Sequence, residues 1–364
     1  MLTPKKRKLL LTIPTLQGGG AERVMTTLAN YWASLGWELT LVTNEKEGTV
    51  PFYDLHQSIR LVQLNALSLS TLLLPLDVLK RVFRLRWLIK QTQPQVIVSF
   101  MDMNNVITLV ASLGLKIPVC IAERSNPEAT TISFIKKWLR DHVYALAHVI
   151  VVQTERIYQG FSERIRQRIA VIQNPIVVPK ISLNYGARTI IAAGRLSEEK
   201  RFDLLIQSFS LIEKNYKDWT LVIWGEGPER SKLHSLIEAK GLANRIGLPG
   251  ITKDIFHEMA QGSIFVLSSR FEGMPNALCE AMALGLSVVS TDCPTGPREL
   301  IAPLENGILV PVDDVVILAE SMKTLMDDIK LREKLGQQAA KAMKKYAIEN
   351  IASLWEKTFD EVAS

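Results

Sequence analysis

Apolar runs rich in β-branched residues alternate with segments of helical periodicity along most of the 364-residue chain. That alternation predicts parallel sheets covered by helices. In the first half, strands are expected near 8–14, 38–43, 95–99, 117–122 and 148–152, with helices at 20–35, 71–92 and 131–146. Around VIQNPIVVPKISLNYGA the pattern lapses at Pro175 and Pro179. A second series opens with TIIAAGR and continues through TLVIWG, SIFVLSS and SVVST, and 313–364 reads as helical. The fold class is therefore α/β, with two doubly wound, Rossmann-like domains, 1–180 and 181–364. Their strand carboxyl ends are expected to face a shared cleft, and the last helix, 347–364, to cross back to the first domain.

The length suits two domains better than one core. A hydrophobic fraction of 47% excludes a disordered chain. Cys120, Cys279 and Cys293 form no C-x-x-C pair, which points to a reducing compartment and away from structural zinc. No run of about 20 apolar residues is present to span a bilayer. The opening MLTPKKRKLLLTIPTL has a short apolar run broken by Pro14, with no small-residue cleavage site before the glycines. It reads as a basic lead-in to the first strand rather than a signal peptide, so a cytoplasmic location is expected. Charge is uneven: residues 1–180 hold 22 Lys/Arg against 12 Asp/Glu, a net +10, whereas 181–364 hold 21 against 25, a net −4. The first half is thus suited to an anionic partner.

Gly18, Gly19 and Gly20 sit where the first apolar strand gives way to a helix, a turn that commonly receives a phosphate. A dinucleotide site is disfavoured, because Arg23 stands where a third glycine is needed and Thr43 and Asn44 stand where an acid is needed. The second half holds more chemistry. In SSRFEGMPNALCEAMALG a strand runs through a loop bearing Glu272 and Gly273 into a helix near Pro275, with Glu280 two turns in. Carboxylates accept hydrogen bonds from the paired hydroxyls of a sugar or ribose, and the helix start suits the phosphates between them. Upstream, GRLSEEK sets Arg195 and Lys200 at another strand end, two cations able to neutralise a diphosphate. Gly225 and Gly227 mark a third strand-to-helix turn, and the segment around Leu248 and Pro249 is short enough to lie along a planar base. Taken alone, either glutamate reads more readily as a solvated acid, and each glycine turn is a weak signal because strand-to-helix turns are commonly rich in glycine.

Taken in order, QGGGAERV, VIQNP, GRLSEEKRFDLLI, GEGPER, GLPG, RFEGMPNALCEAMALGLSVVSTD and GPRELI closely resemble the family 4 retaining glycosyltransferases of GT-B fold. The match spans nearly the whole chain and is closest over 189–310. The resemblance implies that Arg195 and Lys200 bind the diphosphate, Glu272 the transferred sugar and Glu280 the ribose. It assigns Gly194, Gly225 and Gly227 to the donor side and the Leu248 segment to the base. Backbone at Gly273, Met274, Pro275 and Asn276 would cradle phosphate and sugar, while Gly18, Gly19 and Gly20 would approach phosphate or acceptor. It also implies a nucleotide-diphosphate sugar as co-substrate, with no cofactor and no metal. The chain has no Asp-x-Asp motif to hold a divalent ion.

The first half departs from the family pattern. Many members carry a histidine after the strand matching IPVCIAE; here the segment is IAERSNPEAT, and His56, His142, His148, His234 and His257 all lie elsewhere. Glu123 and Arg124, with Ser125 and Asn126, are candidates either for orienting an acceptor or for capping a helix. Asp102 at the end of VIVSFMD is likewise an acceptor-side base or a cap. LLLPLDVLKRVFRLRWLIK and SFIKKWLRDHVYAL mix apolar residues with Lys80, Arg81, Arg84, Arg86, Lys90, Lys136, Lys137 and Arg140. Such helices either pack one face on a sheet or lie on an anionic membrane. The expected acceptor is a lipid-diphosphate-linked saccharide in bacterial surface-polysaccharide assembly, with the enzyme peripheral to the inner membrane. Nucleic acid is not an expected partner, since no dense basic run, finger, RNP-type motif or KH loop occurs. The rival readings are a nucleotide-sugar epimerase and a non-catalytic sugar-nucleotide binding module.

Overall fold

Leu9, Leu10 and Leu11 in β1 (Lys8–Thr12) are all buried, which only a strand covered on both faces permits. The same continuous burial marks β4 (Val96–Phe100), β5 (Val119–Ala122) and β11 (Ile264–Leu267). The computed structural model describes residues 6–65, 74–124 and 142–363. The chain divides into two compact units, Met1–Pro175 with Ile348–Ser364, and Ile176–Ala347.

The first unit adds β2 (Glu38–Thr43), β3 (Arg60–Gln63), β6 (Val149–Val152) and β7 (Ile169–Val171). Its seven strands run in the order β3-β2-β1-β4-β5-β6-β7, and every pairing is parallel. The second unit contains β8 (Thr189–Ala193), β9 (Thr220–Trp224), β10 (Ile246–Gly250), β11, β12 (Ser287–Thr291) and β13 (Ile308–Val310). These six are ordered β10-β9-β8-β11-β12-β13, again all parallel. Both sheets are doubly wound, with the order reversing between β1 and β4 and between β8 and β11.

Four strands were not expected from the sequence: β3, β7, β10 and β13. All close an edge of a sheet. Edge strands bury one side incompletely, so RLVQ, IAV, IGLPG and ILV lack the long apolar runs of the interior strands. Pro249 sits in β10, where an edge tolerates a missing N–H, and the register shifts between Gly247 and Gly250. Of the helix expected over 131–146, residues 131–141 lie outside the described residues, as do Ser125 and Asn126.

Helix Ile348–Ala363 belongs with the first unit. Trp355, wholly buried, stacks on Phe100 with centroids 6.2 Å apart, and Phe359 meets Trp32 at 5.5 Å. Trp32 Nε1 donates to Glu356 Oε1 at 3.2 Å, and Arg7 pairs with Asp360. Replacing Trp355 with Ala removes the largest side chain of this contact, so the first unit should lose about 3–5 kcal/mol. Urea unfolding followed by circular dichroism measures it as a lower midpoint.

Candidate functional site

In open parallel sheets, ligands bind beyond the strand carboxyl ends where the strand order reverses. In the second unit that position belongs to β8 and β11, and the chain delivers its charged residues there. After β8, the backbone turns through Gly194 to a short 3-10 turn, Glu198–Lys200, and then enters helix Phe202–Ile212. After β11, the loop carries Ser268 to Pro275 into helix Asn276–Leu284. The two loops are bound together by Arg270 N donating to the Glu199 carbonyl at 2.8 Å and by Ser268 Oγ donating to the Lys200 carbonyl at 2.8 Å.

Across them, Lys200 Nζ pairs with Glu272 Oε1 at 2.7 Å. The Glu272 side chain is 7% exposed and that of Lys200 21%. Ser269 Oγ donates to the same carboxylate oxygen at 2.6 Å, and Thr295 Oγ1 donates to the Glu272 backbone carbonyl. The pair is therefore held from both strands and from the loop after β12. Arg195 differs. It is exposed, and among the described residues its guanidinium makes no hydrogen bond or ion pair.

Glu280 is 8% exposed on the helix that begins at Asn276, directly after Pro275. Two buried cysteines lie beside these loops. Burial pushes the Cys279 thiol far up, and the Glu280 and Glu272 carboxylates push it further. Burial also raises Cys293, to about 12, with Glu272 adding to the shift and Lys200 opposing it. Met274 and Pro275 are buried, while Gly273 and Asn276 are partly exposed.

Gly194, Gly225 and Gly227 are where backbones meet. Gly194 N donates to the Trp224 carbonyl at 2.9 Å, and Leu196 N to the Glu226 carbonyl at 2.9 Å. Gly225 has φ of +143°, and a Cβ there would collide with the Gly194 carbonyl. A Cβ at Gly227 would collide likewise with the Leu196 carbonyl. Leu248 lies in β10, its side chain against the second core and its carbonyl accepting from Arg230 Nη2 at 2.7 Å. That bond anchors the edge strand, with Gly247 and Pro249 exposed on either side of Leu248.

In the first unit, Gly18, Gly19 and Gly20 follow β1, and Asp102 follows β4, so both flank its strand-order reversal. Gly18 has φ of +94° and lies against Phe52; Gly19 leaves room for the Glu22 carboxylate, and Gly20 begins helix Gly20–Ser34. Asp102 is exposed, and its Oδ1 accepts from Met103 N at 2.7 Å. Glu123 is only 2% exposed and accepts from the Tyr144 hydroxyl at 2.9 Å and from Arg124 N at 3.0 Å. Arg124 bonds Asn174 Oδ1 and lies 3.9 Å from the centre of the Phe100 ring. Burial lowers its guanidinium, and Glu123 opposes that shift. Glu123 thus belongs to an interior network, with the partly exposed Arg124 at its margin.

Three residues shape these loops without having been singled out by sequence. Ser269 and Thr295 brace Glu272. Glu45, 2% exposed, accepts from Thr15 Oγ1 at 2.9 Å, Leu16 N at 3.2 Å and Gln17 Nε2 at 2.8 Å, fixing the approach to the glycine turn. The pairing of serines at a strand end in SSRFEG was the available signal for Ser269; Glu45, in a run of polar residues, offered none. Among the described residues no group of three or more His, Cys, Asp or Glu is placed to hold a metal ion.

Two family descriptions match in series: "Glycosyltransferase Family 4" over 18–178 and "Glycosyl transferases group 1" over 176–342. The chain belongs to the family 4 glycosyltransferases. A Campylobacter jejuni relative, "GalNAc-alpha-(1->4)-GalNAc-alpha-(1->3)-diNAcBac-PP-undecaprenol alpha-1,4-N-acetyl-D-galactosaminyltransferase", is 27% identical over 98% of this chain and 99% of its own length. The Rhizobium meliloti lipopolysaccharide core biosynthesis glycosyltransferase LpsE is 27% identical over 88% of this chain and 89% of its own. In fold, this glycosyltransferase matches Anabaena HepE crystallised with UDP-glucose at a TM-score of 0.78, with 17% identity, covering 98% of this chain and 100% of the other. The two doubly wound units are those of the GT-B architecture.

Two outcomes follow from this packing. Gly225→Ala should destabilise the second unit by about 1–3 kcal/mol, because the Gly194 loop must shift to admit a methyl group; thermal unfolding measures it. Cys120 is raised to about 12 by burial, as Cys293 is, and Cys279 is raised too. A disulfide reagent at pH 8 should therefore label none of the three thiols in the native protein and all of them after denaturation.

Proposed function

We propose that the protein transfers a hexose or N-acetylhexosamine from a UDP-sugar to a lipid-diphosphate-linked saccharide during assembly of bacterial cell-surface polysaccharide. The observation that carries this reading is the Lys200–Glu272 pair at the β8/β11 reversal, with Arg195 on the same loop. HepE, of like fold, was crystallised with UDP-glucose, and the Campylobacter relative is named for a diphospho-undecaprenol acceptor. The chemistry follows from charge. As the bond from the anomeric carbon to the β-phosphate oxygen lengthens, negative charge builds on the diphosphate. Lys200, already fixed by Glu272, and the open Arg195 guanidinium neutralise it with little reorganisation.

Glu272 then serves two partners, the lysine and the hydroxyls of the transferred sugar, while Glu280 holds the ribose. Backbone N–H groups around Gly273 to Asn276, at a helix start, receive phosphate oxygens. With these cations present, no metal is required. The acceptor attacks on the face from which the nucleotide departs, a phosphate oxygen takes its proton, and configuration is retained. Gly18, Gly19, Gly20 and Asp102 stand on the acceptor side, and the basic first unit works at the cytoplasmic face of the inner membrane.

A panel of UDP- and GDP-sugars, with and without EDTA, tests the reading through nucleotide release. Release is expected from a UDP-sugar at a rate that EDTA leaves unchanged; tight binding with no release under any condition would reject the transferase reading. Arg195→Ala should lower turnover about 100- to 1,000-fold with the melting temperature unchanged, since among the described residues its guanidinium makes no hydrogen bond or ion pair. Lys200→Ala should lower turnover as much and also reduce stability, because it strands the Glu272 carboxylate.

A further inference from the structure

Helix Leu74–Thr92 has two apolar faces. Leu85, Leu88 and Ile89, with Val78 and Val82 beside them, pack into the core of the first unit. On the opposite side, Leu76, Leu79, Phe83 and Trp87 follow one another at helical spacing and are 56%, 52%, 67% and 62% exposed. A helix that covers a sheet ordinarily gives this outer face to charge. Here it presents two large aromatic and two aliphatic side chains in one stripe.

Four of the five cations of the helix divide by task. Arg84 donates to the Leu64 and Asn65 carbonyls, and Arg86 to those of Ala111 at 2.9 Å and Leu113 at 2.6 Å. Those two guanidiniums fasten the helix to its own unit. Lys80 and Lys90 are exposed on the turns that carry the stripe, and the helix has one acid, Asp77. An apolar band bordered by ammonium groups complements an anionic lipid surface. It is poorly suited to a second copy of itself, which would bring lysines against lysines.

We propose that this stripe seats the first unit on an anionic bilayer, with Leu76, Leu79, Phe83 and Trp87 below the headgroups and Lys80 and Lys90 at lipid phosphates. The proposal rests on the membrane-linked acceptor put forward above and adds a mechanism: the attachment is by apolar insertion as well as by charge. Among the described residues no helix is long and apolar enough to cross a membrane, so the contact is interfacial. Charge-only attachment would vanish as salt shortens the screening length to a few ångströms, roughly 3–5 Å; insertion persists.

Co-sedimentation with vesicles of equal parts phosphatidylglycerol and phosphatidylcholine, at low salt and at about 0.5 M NaCl, separates the two contributions. The wild-type protein should sediment in both conditions. Phe83→Ser with Trp87→Ser should weaken the high-salt association about tenfold or more, while Lys80→Gln with Lys90→Gln should weaken mainly the low-salt association. Nucleotide release from a UDP-sugar in the absence of lipid should be the same in all three proteins, so loss of that signal in the wild type rejects the transferase reading without touching this one. Vesicle binding by the double serine variant equal to wild type at high salt overturns the proposal, as does no wild-type binding at low salt. A wild-type dimer in sedimentation velocity that the serine variant dissolves would also overturn it, assigning the stripe to a second copy.

Discussion

The constraint on which the site depends is topological. β8 and β11 are neighbours in a parallel sheet, yet the chain fills the sheet outward from them in opposite directions. Their carboxyl ends therefore lie side by side while the connections that follow diverge. A cation leaving one strand and a carboxylate leaving the other are brought within hydrogen-bond distance although 72 residues separate Lys200 from Glu272. No local motif achieves that; it is a property of strand order. The first unit repeats the arrangement, setting the glycine turn after β1 and Asp102 after β4.

How Lys200 and Arg195 are held is as informative as where they are. Lys200 is anchored by a carboxylate that Ser269 also bonds, on a residue whose backbone carbonyl is held by Thr295, so its position is set before any ligand arrives. Arg195 has no such tether among the described residues. A fixed charge is effective without reorganisation, and a loose one can follow a group that moves. A lysine is a point charge in the fixed place and an arginine offers its planar fork in the adaptable one, a division that would serve the diphosphate of the proposed reaction.

The interior of each sheet was legible in the sequence because strands buried on both faces write continuous apolar runs, as LLLT, VIVSF and IFVL do. The edges were not, because RLVQ and IGLPG bury too little to leave a pattern. Lys200 and Glu272 were legible as strand-end residues of the right chemical type, and motif order joined them into one site. The bracing by Thr295 and Glu45 was not, since a hydroxyl or acid gives no sign in one dimension of which distant loop it will meet. Glu123 illustrates the converse. A charged residue just past a strand reads as accessible, yet the fold closes over it, and Tyr144 satisfies its carboxylate.

The last helix has a consequence for how the protein is made. Because Ile348–Ala363 completes the first unit, the chain that is synthesised first is the last to be finished. The second unit, Ile176–Ala347, is contiguous, and its two ends are clasped by Ile176 N bonding the Tyr346 carbonyl at 2.8 Å. Until the last helix docks, the surface around Phe100 and Trp32 in the first unit lacks the cover that Trp355 and Phe359 give it. Chaperones acting on the nascent chain would find their exposed apolar target in the older half of the polypeptide, not the younger.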